Sequence, residues 1–399
     1  MKPLFLLLLS LTIACHQSTH ITSVEPTYSV TTVKPLSFGR DIQLFRHKKT
    51  QDGNVEFLAR IYPLLGLNTE QVYGITKFIT FSPLGDTLTT KAVRFNHDII
   101  DYIKVKNGYY AVTTDRNTLH SPTVDYLEKY NLQWQLIHSE ELTVSKFPRG
   151  NSLIDTTHNG ELFLVSDNRK PMRKDDKGMG LSMFRFSPEV RLIAEKDFIT
   201  PEYCNPTSLL RTSDGNFLIT AATSRNERPI TQLLKANAKG DIIWQKQLNT
   251  QCDGPVIALK DRGFLFYTID CKFPYEAPLK PYFRIIKFDK NGKIQWQKII
   301  KGPIDVVTGD ALETEDGYYL FTGNVQFSEN GPVQNIVFEL DKKGNRRFTY
   351  LFNYNTDPHS RPALITGNGD ILLYGLKQDA IDKRTVIISH LKKQTEQER

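Results

Sequence analysis

The chain has 399 residues, 39% hydrophobic and 24% charged, long enough for one large domain or two to three ordinary ones. Its 24 Gly and 20 Pro are near average usage and its four Cys are few, which excludes a collagen-like chain, a low-complexity tract and a disulfide scaffold. The net charge of +7 is a mild bias toward anionic partners and bears on solubility and encounter, not on fold.

Met1 and Lys2 lead into an apolar run from Leu4 to Leu11, and Leu11-Thr12-Ile13-Ala14 then meets Cys15. Residues 1–14 have the pattern of a secretory signal peptide. The run is about half the roughly 20 residues a membrane-spanning helix needs, and no later stretch is long enough, so the mature chain is expected to be soluble. A cysteine directly after Ala14 resembles the lipobox of bacterial lipoproteins. That resemblance implies a diacylated Cys15 as the new N-terminus, and His16 in the next position implies sorting to the outer membrane. Ordinary cleavage without lipid is the competing reading. Residues 15–27 are then the anchor cysteine and a polar tether.

The rest of the chain repeats. A turn glycine followed by a β-rich apolar run recurs at Gly53, Gly108, Gly160, Gly215, Gly263, Gly317 and Gly369, at intervals of 55, 52, 55, 48, 54 and 52 residues. Asn-Gly and Asp-Gly between alternating hydrophobic residues signal tight hairpins. A second series follows at Gly85, Gly240, Gly292 and Gly344, with Asn131 and Pro188-Glu189 as the glycine-free counterparts in repeats two and three. Each unit therefore holds two hairpins and four strands, A to D. Such units predict an all-β, seven-bladed β-propeller of four-stranded blades, a single domain over residues 28–391 with a charged tail at 392–399. Six blades is the alternative if the weaker region 37–96 is not a full blade.

After the hairpin Arg361–Leu376 only one strand, Thr385–Leu391, remains. An open edge would leave backbone groups unpaired, so the β-branched segment Tyr28–Val33 is predicted to complete the last blade and close the ring. Trp134, Trp244 and Trp296, with Phe348, are read as one recurring position for packing between blades. Asn237, Asp289 and Asp341 are read as turn residues that bond local amides rather than as catalytic acids.

The recurring phrase KFDKNGKIQWQK, clearest in blades four to six, resembles the repeat of the quinoprotein (PQQ) propeller superfamily, which includes enzymes and non-catalytic outer-membrane assembly lipoproteins. The adjacent cysteine pair of the quinoprotein dehydrogenases is missing, so no cofactor is expected. Zinc-hydrolase, Cys-x-x-Cys, nucleophile-elbow and P-loop signatures are also lacking. Of the remaining cysteines, Cys252 and Cys271 flank the Lys260–Gly263 turn almost symmetrically and are the favoured disulfide. Cys204–Cys252, at matching sites of neighbouring blades, competes with it.

The A–B and C–D turns share one face, so the D–A and B–C connections gather on the other, where binding residues concentrate. The candidate rim there comprises His97, Asp98, Arg149, Asn151, Tyr203, Asn205, Asp253, His359 and Arg361, with Asp310 deeper. Long B–C loops lie outside it, and Phe273, Tyr275, Tyr282 and Phe283 of the proline-rich loop are the candidate partner contacts. No spacing supports a metal site. The basic group Arg169, Lys170, Arg173 and Lys174 is followed by Asp175 and Asp176 and reads as a solvated loop, not a nucleic-acid site.

These readings converge on an exported, lipid-anchored, monomeric propeller of the outer membrane that acts as a non-catalytic binding or scaffold module for an envelope protein or glycan. The alternative is a carbohydrate-active hydrolase or lyase with Asp98, Asp253, His97 and His359 as acid–base groups.

Overall fold

The computed structural model describes residues 28–37, 41–49, 54–62, 75–82, 85–93, 97–115, 124–142, 152–168, 179–200, 204–225, 228–250, 254–270, 282–301, 305–326, 331, 333–355, 363–367, 370–380 and 383–393. Within them, 28 strands pair into seven four-stranded antiparallel sheets. Strand β1 (Tyr28–Ser37) precedes blade one, which is β2 (Asp41–Lys49), β3 (Val55–Tyr62), β4 (Ile75–Phe81) and β5 (Thr87–Val93). Blade two is β6 (Asp98–Val105), β7 (Gly108–Asp115), β8 (Val124–Tyr130) and β9 (Leu136–Glu141); blade three is β10 (Ser152–Thr156), β11 (Leu162–Asn168), β12 (Met179–Phe186) and β13 (Leu192–Thr200). Blade four is β14 (Cys204–Arg211), β15 (Phe217–Arg225), β16 (Arg228–Ala236) and β17 (Ile242–Leu248); blade five is β18 (Val256–Ala258), β19 (Phe264–Asp270), β20 (Tyr282–Phe288) and β21 (Ile294–Lys301). Blade six is β22 (Asp305–Glu313), β23 (Tyr319–Gln326), β24 (Val333–Leu340) and β25 (Arg346–Asn355). The last sheet runs β1-β28-β27-β26, with β26 (Ala363–Gly367), β27 (Asp370–Ala380) and β28 (Lys383–Lys393).

Strand β1 pairs with β28 from Tyr28↔Lys393 to Ser37↔Thr385, so the N-terminal end supplies the outer strand of the last blade. It runs past the expected Val33 and through exposed Pro35, which an edge strand tolerates because its outer side has no ladder to donate to. Residues 41–93, the weaker part of the repeat, form a complete four-stranded sheet.

Packing between sheets closes the ring. Each apolar cluster joins one blade to the next: Leu58 and Phe78 to Tyr102 and Tyr109, Val112 and Leu127 to Leu164 and Phe184, Phe163 and Val165 to Phe217 and Ile219. The series continues with Leu218 and Leu233 against Phe266 and Phe288, Tyr267 and Ile285 against Phe321 and Leu340, and Leu320 and Val337 against Ile371 and Leu373. The final cluster packs Leu372, Tyr374 and Ile388 of the last sheet on Phe57, Ile79 and Phe81 of the first. Alternation along each strand sends one set of side chains to each neighbour, which is why every sheet is buried on both faces. The result is a β-propeller with four-stranded blades.

The C–D turns share one construction. Asn131, Asn237, Asp289 and Asp341 each accept, through the side-chain oxygen, the amides two and four residues later at 2.8–2.9 Å, and Ser187 does the same at 3.1 and 3.4 Å. Three residues after each polar residue the backbone turns left-handed, at Gly240, Gly292 and Gly344, but also at Trp134 (φ 60°) and Val190 (φ 68°). The alignment of Trp134 with Trp244 and Trp296 is therefore corrected. Trp134 stands where the other blades turn on glycine, whereas Trp244 and Trp296 lie on β17 and β21 and pack against the turn glycines of the following blades, Gly292 and Gly344. Its function in packing is nonetheless between blades, because its ring stacks at 3.8 Å on both Phe78 of blade one and Tyr109 of blade two.

The glycine alignment also shifts by one in blade five: the left-handed A–B position is Arg262 (φ 67°), matching Gly160, Gly215 and Gly317, and not Gly263.

Candidate functional site

His97 lies in the connection from blade one to blade two, directly before β6. Its imidazole is laid flat on the Tyr126 ring, 4.1 Å between centroids and 3° between planes, and Nδ1 is 3.1 Å from Glu128 Oε1. The other carboxyl oxygen of Glu128 accepts the Thr113 hydroxyl at 2.9 Å and the Tyr130 hydroxyl at 2.6 Å. Burial first, then the Glu128 charge, push the Tyr130 phenol far above its ordinary range, which keeps it protonated as a donor. Glu128 is wholly buried, while the His97 side chain is 18% exposed.

The other blades supply an internal control. Glu128 stands three residues before the polar turn residue Asn131, and the same position holds Ile79, Phe184, Leu234, Ile286 and Phe338, all buried in inter-blade clusters. On the second strand, the residue facing it is Ala111, where five of the other six blades place Phe57, Leu164, Ile219, Phe266 and Phe321; the last sheet pairs Leu373 with the small, buried Ser389 at this register. Blade two has thus given up a large apolar pair and holds a carboxyl group in the space. Burying one costs several kcal/mol unless it is hydrogen-bonded, and here Thr113, Tyr130 and His97 all bond it. With Nδ1 taken by Glu128, the remaining polar atom of the partly exposed ring is Nε2, held in a fixed direction by the carboxyl and the Tyr126 face.

The remaining rim residues divide. Asp98 opens β6, with its backbone opposite Thr114; Asn205 is half-buried on β14 opposite Ala222. Asp310 lies beside a bulge in the inner strand and accepts the Ala311 amide at 2.8 Å, as Asp101 does in blade two with the Tyr102 amide at 2.6 Å. A position that recurs with the same bond is part of the scaffold. Arg149, Asn151, Tyr203, Asp253, His359 and Arg361 lie outside the described residues, as do Phe273, Tyr275, Cys15, Cys252, Cys271 and the basic group 169–176.

One partner-loop residue is corrected, and a second is placed on a strand. Phe283 belongs to β20 and is 4% exposed within the cluster joining blades five and six, so it is core. Tyr282, the first residue of that strand, is half-buried beneath the Arg284 guanidinium, 5.9 Å from its ring centre. The strand begins before the loop reading expected because Tyr282 and Phe283 continue the alternation of Ile285 and Phe288. The Cys204–Cys252 alternative is also corrected, because Cys204 is a fully buried free thiol, pushed up to about 12 by burial and by the nearby Asp167 charge.

Sequence reasoning found His97 and missed Tyr126, Glu128, Tyr130 and Thr113. The available signal was the aligned third strands, where one acidic residue interrupts a column of Ile, Phe and Leu.

Among the described residues, no group of three or more His, Cys, Asp or Glu is placed to hold a metal ion, and no helix is long and apolar enough to cross a membrane. No protein-family model and no curated protein matches the sequence. Solved structures do resemble the fold. The polysaccharide lyase Uly1 has a TM-score of 0.53 at 9% identity, over 88% of this chain and 90% of that one. BBS1N, from a complex with ARL6DN, has a TM-score of 0.51 at 9% identity, over 93% and 99%. The β-propeller domain of the Trilobed protease from Pyrococcus furiosus has a TM-score of 0.46 at 11% identity, over 89% and 96%. At such identities the likeness is one of fold alone.

Proposed function

We propose that this protein is a propeller of the bacterial cell envelope that binds a polysaccharide on its loop face, at the junction of blades one and two. The observation that carries this reading is Glu128, a buried carboxyl group in a position that five other blades keep apolar, anchoring His97 at the surface. Recognition of sugar hydroxyls needs a few polar atoms fixed in direction, and Nε2 of His97 is such an atom. The leader-like pattern of residues 1–14 and the lipobox-like setting of Cys15 support a lipid-anchored location at the outer membrane, which globomycin treatment tests through accumulation of the precursor. Binding is tested by titrating the purified protein with a panel of bacterial and algal polysaccharides. His97→Ala and Glu128→Gln are expected to weaken binding by roughly tenfold or more. Full-strength binding by both variants, or no binding by the unaltered protein, overturns the reading.

A second reading, a polysaccharide lyase or hydrolase, is favoured by one feature of the same site. A histidine whose Nδ1 is held by a carboxyl group is arranged as a proton-transfer residue, with Nε2 free to take a proton. A polysaccharide lyase also shares the fold. Formation of an unsaturated product, followed by its ultraviolet absorbance and abolished in His97→Ala, would establish lyase activity; ligand bound without turnover leaves the binding reading.

A further inference from the structure

On the opposite, turn-bearing face, blades four and five enclose a hollow of about 390 Å³. Ser213 and Asp214 line it from the A–B turn of blade four, Lys235 from β16, Arg262 from the A–B turn of blade five, and Lys290 and Asn291 from its C–D turn. Lys235 is 7% exposed and is committed to the fold, with its ammonium 2.7 Å from Asp214 and 3.4 Å from the Lys290 carbonyl. The Arg262 guanidinium and the Lys290 ammonium have no hydrogen-bond or ion-pair partner among the described residues.

Arg262 is also costly where it stands. The matching positions of three other A–B turns are Gly160, Gly215 and Gly317, at φ 77–79°, a conformation that glycine adopts freely and arginine does not. A strained cation beside a second unpaired cation, in a concave site lined by hydroxyls and an amide and by an Asp214 carboxylate whose charge Lys235 already balances, fits an anionic ligand that also carries hydrogen-bonding groups.

We propose that this hollow binds an anionic sugar residue, whose sulfate or carboxylate meets Arg262 and Lys290 while ring hydroxyls meet Ser213 and Asn291. A recess between turns admits a glycan residue, whereas a flat membrane surface reaches only its rim. The site is independent of His97, which lies at the other end of a different blade.

The test uses dextran sulfate and polygalacturonate, with neutral dextran as control and phosphatidylglycerol vesicles as the competing anionic surface. The protein is expected to bind at least one charged polymer and not dextran, with an affinity that falls as salt is raised. Arg262→Gly restores the residue the other turns use, so it should fold at least as well, and it should weaken polymer binding about tenfold, as should Lys290→Gln. His97→Ala should leave this binding unchanged, which separates the two faces. No binding to either polymer, or unaltered binding by both the Arg262→Gly and Lys290→Gln variants, overturns the proposal. So does Arg262-dependent capture by the vesicles without binding to the polymers.

Discussion

The third strand of blade two and the third strands of blades three to five carry buried or half-buried charge in different ways. In blades three, four and five the cation two residues before the C–D turn residue reaches an acid of the A–B turn: Arg185 to Glu161 at 2.8 Å, Lys235 to Asp214 at 2.7 Å and Lys287 to Asp261 at 2.7 Å. The same cation register recurs, its acid one residue before the left-handed turn position in blades four and five and one residue after it in blade three, so these pairs fasten one hairpin to the other. Glu128 has no charged counterpart: at its register five blades are apolar and the last holds Ser389, and its partners include a histidine that enters from the connection between blades. Repetition separates the two cases. A charge that the fold needs is found in several blades, and one found in a single blade at a core position answers to something other than the fold.

The largest effect expected on this contrast comes from the same inter-blade cluster as Glu128. Trp134→Ala removes a ring stacked on both Phe78 and Tyr109 and should lower stability by about 3–5 kcal/mol in chemical denaturation. Trp296→Ala, at the half-buried repeated position, should cost about half as much. Should the two cost the same, Trp134 has no special part in joining blades one and two.

Glu128→Ala follows, at about 3 kcal/mol, because it strands the Thr113 and Tyr130 hydroxyls beside a new cavity. The repeated pairs are weaker. Lys235→Met should cost about 1 kcal/mol or less, since Asp214 is 49% exposed and solvent screens the pair.

That pair also sets a pH dependence. Burial would raise the Asp214 carboxyl, but hydrogen bonds from Lys235, Thr212 and the Asn216 amide hold it well below the ordinary range. The unfolded chain then takes up the proton first on acidification, so the stabilisation is complete above about pH 4 and lost as pH falls further. Thermal melts between pH 6 and pH 3 should converge for the unaltered protein and Asp214→Asn. Curves that stay parallel would remove the ion pair from the account.

The smallest effect is chemical. Buried Cys204, with its thiol pushed up to about 12, should resist alkylation at pH 8 until the protein is unfolded. Rapid native-state modification, located at Cys204 by peptide mapping, would show that the junction of blades three and four opens.

Glycine spacing made the fold legible because left-handed turns favour the one residue without a side chain, and seven glycines evenly spaced ahead of β-rich runs leave few architectures. The missing fourth strand of the last unit likewise pointed to Tyr28–Val33, since an unpaired edge is unfavourable. Where glycine gave way, the register slipped: Trp134 looked like a strand tryptophan, and Arg262 was hidden beside Gly263. The site was harder to see. His97 carried its own chemical signal, but Glu128 looks like an ordinary strand carboxylate in VDYLEKY until the third strands are superposed. Its burial follows from the packing of blade two on blade one, a contact between distant segments that no local pattern encodes.

If Glu128 is kept for the site and the fold can be satisfied without it, one variant measures both together. Glu128→Leu combined with Tyr130→Phe and Thr113→Val removes the buried carboxyl together with both hydroxyls that bond it, and replacing buried polar groups by packed apolar ones is often neutral or stabilising. The melting temperature should hold or rise while polysaccharide binding at the loop face is lost. A variant that keeps its full affinity, or whose melting temperature falls well below that of the unaltered protein, would contradict that role of Glu128.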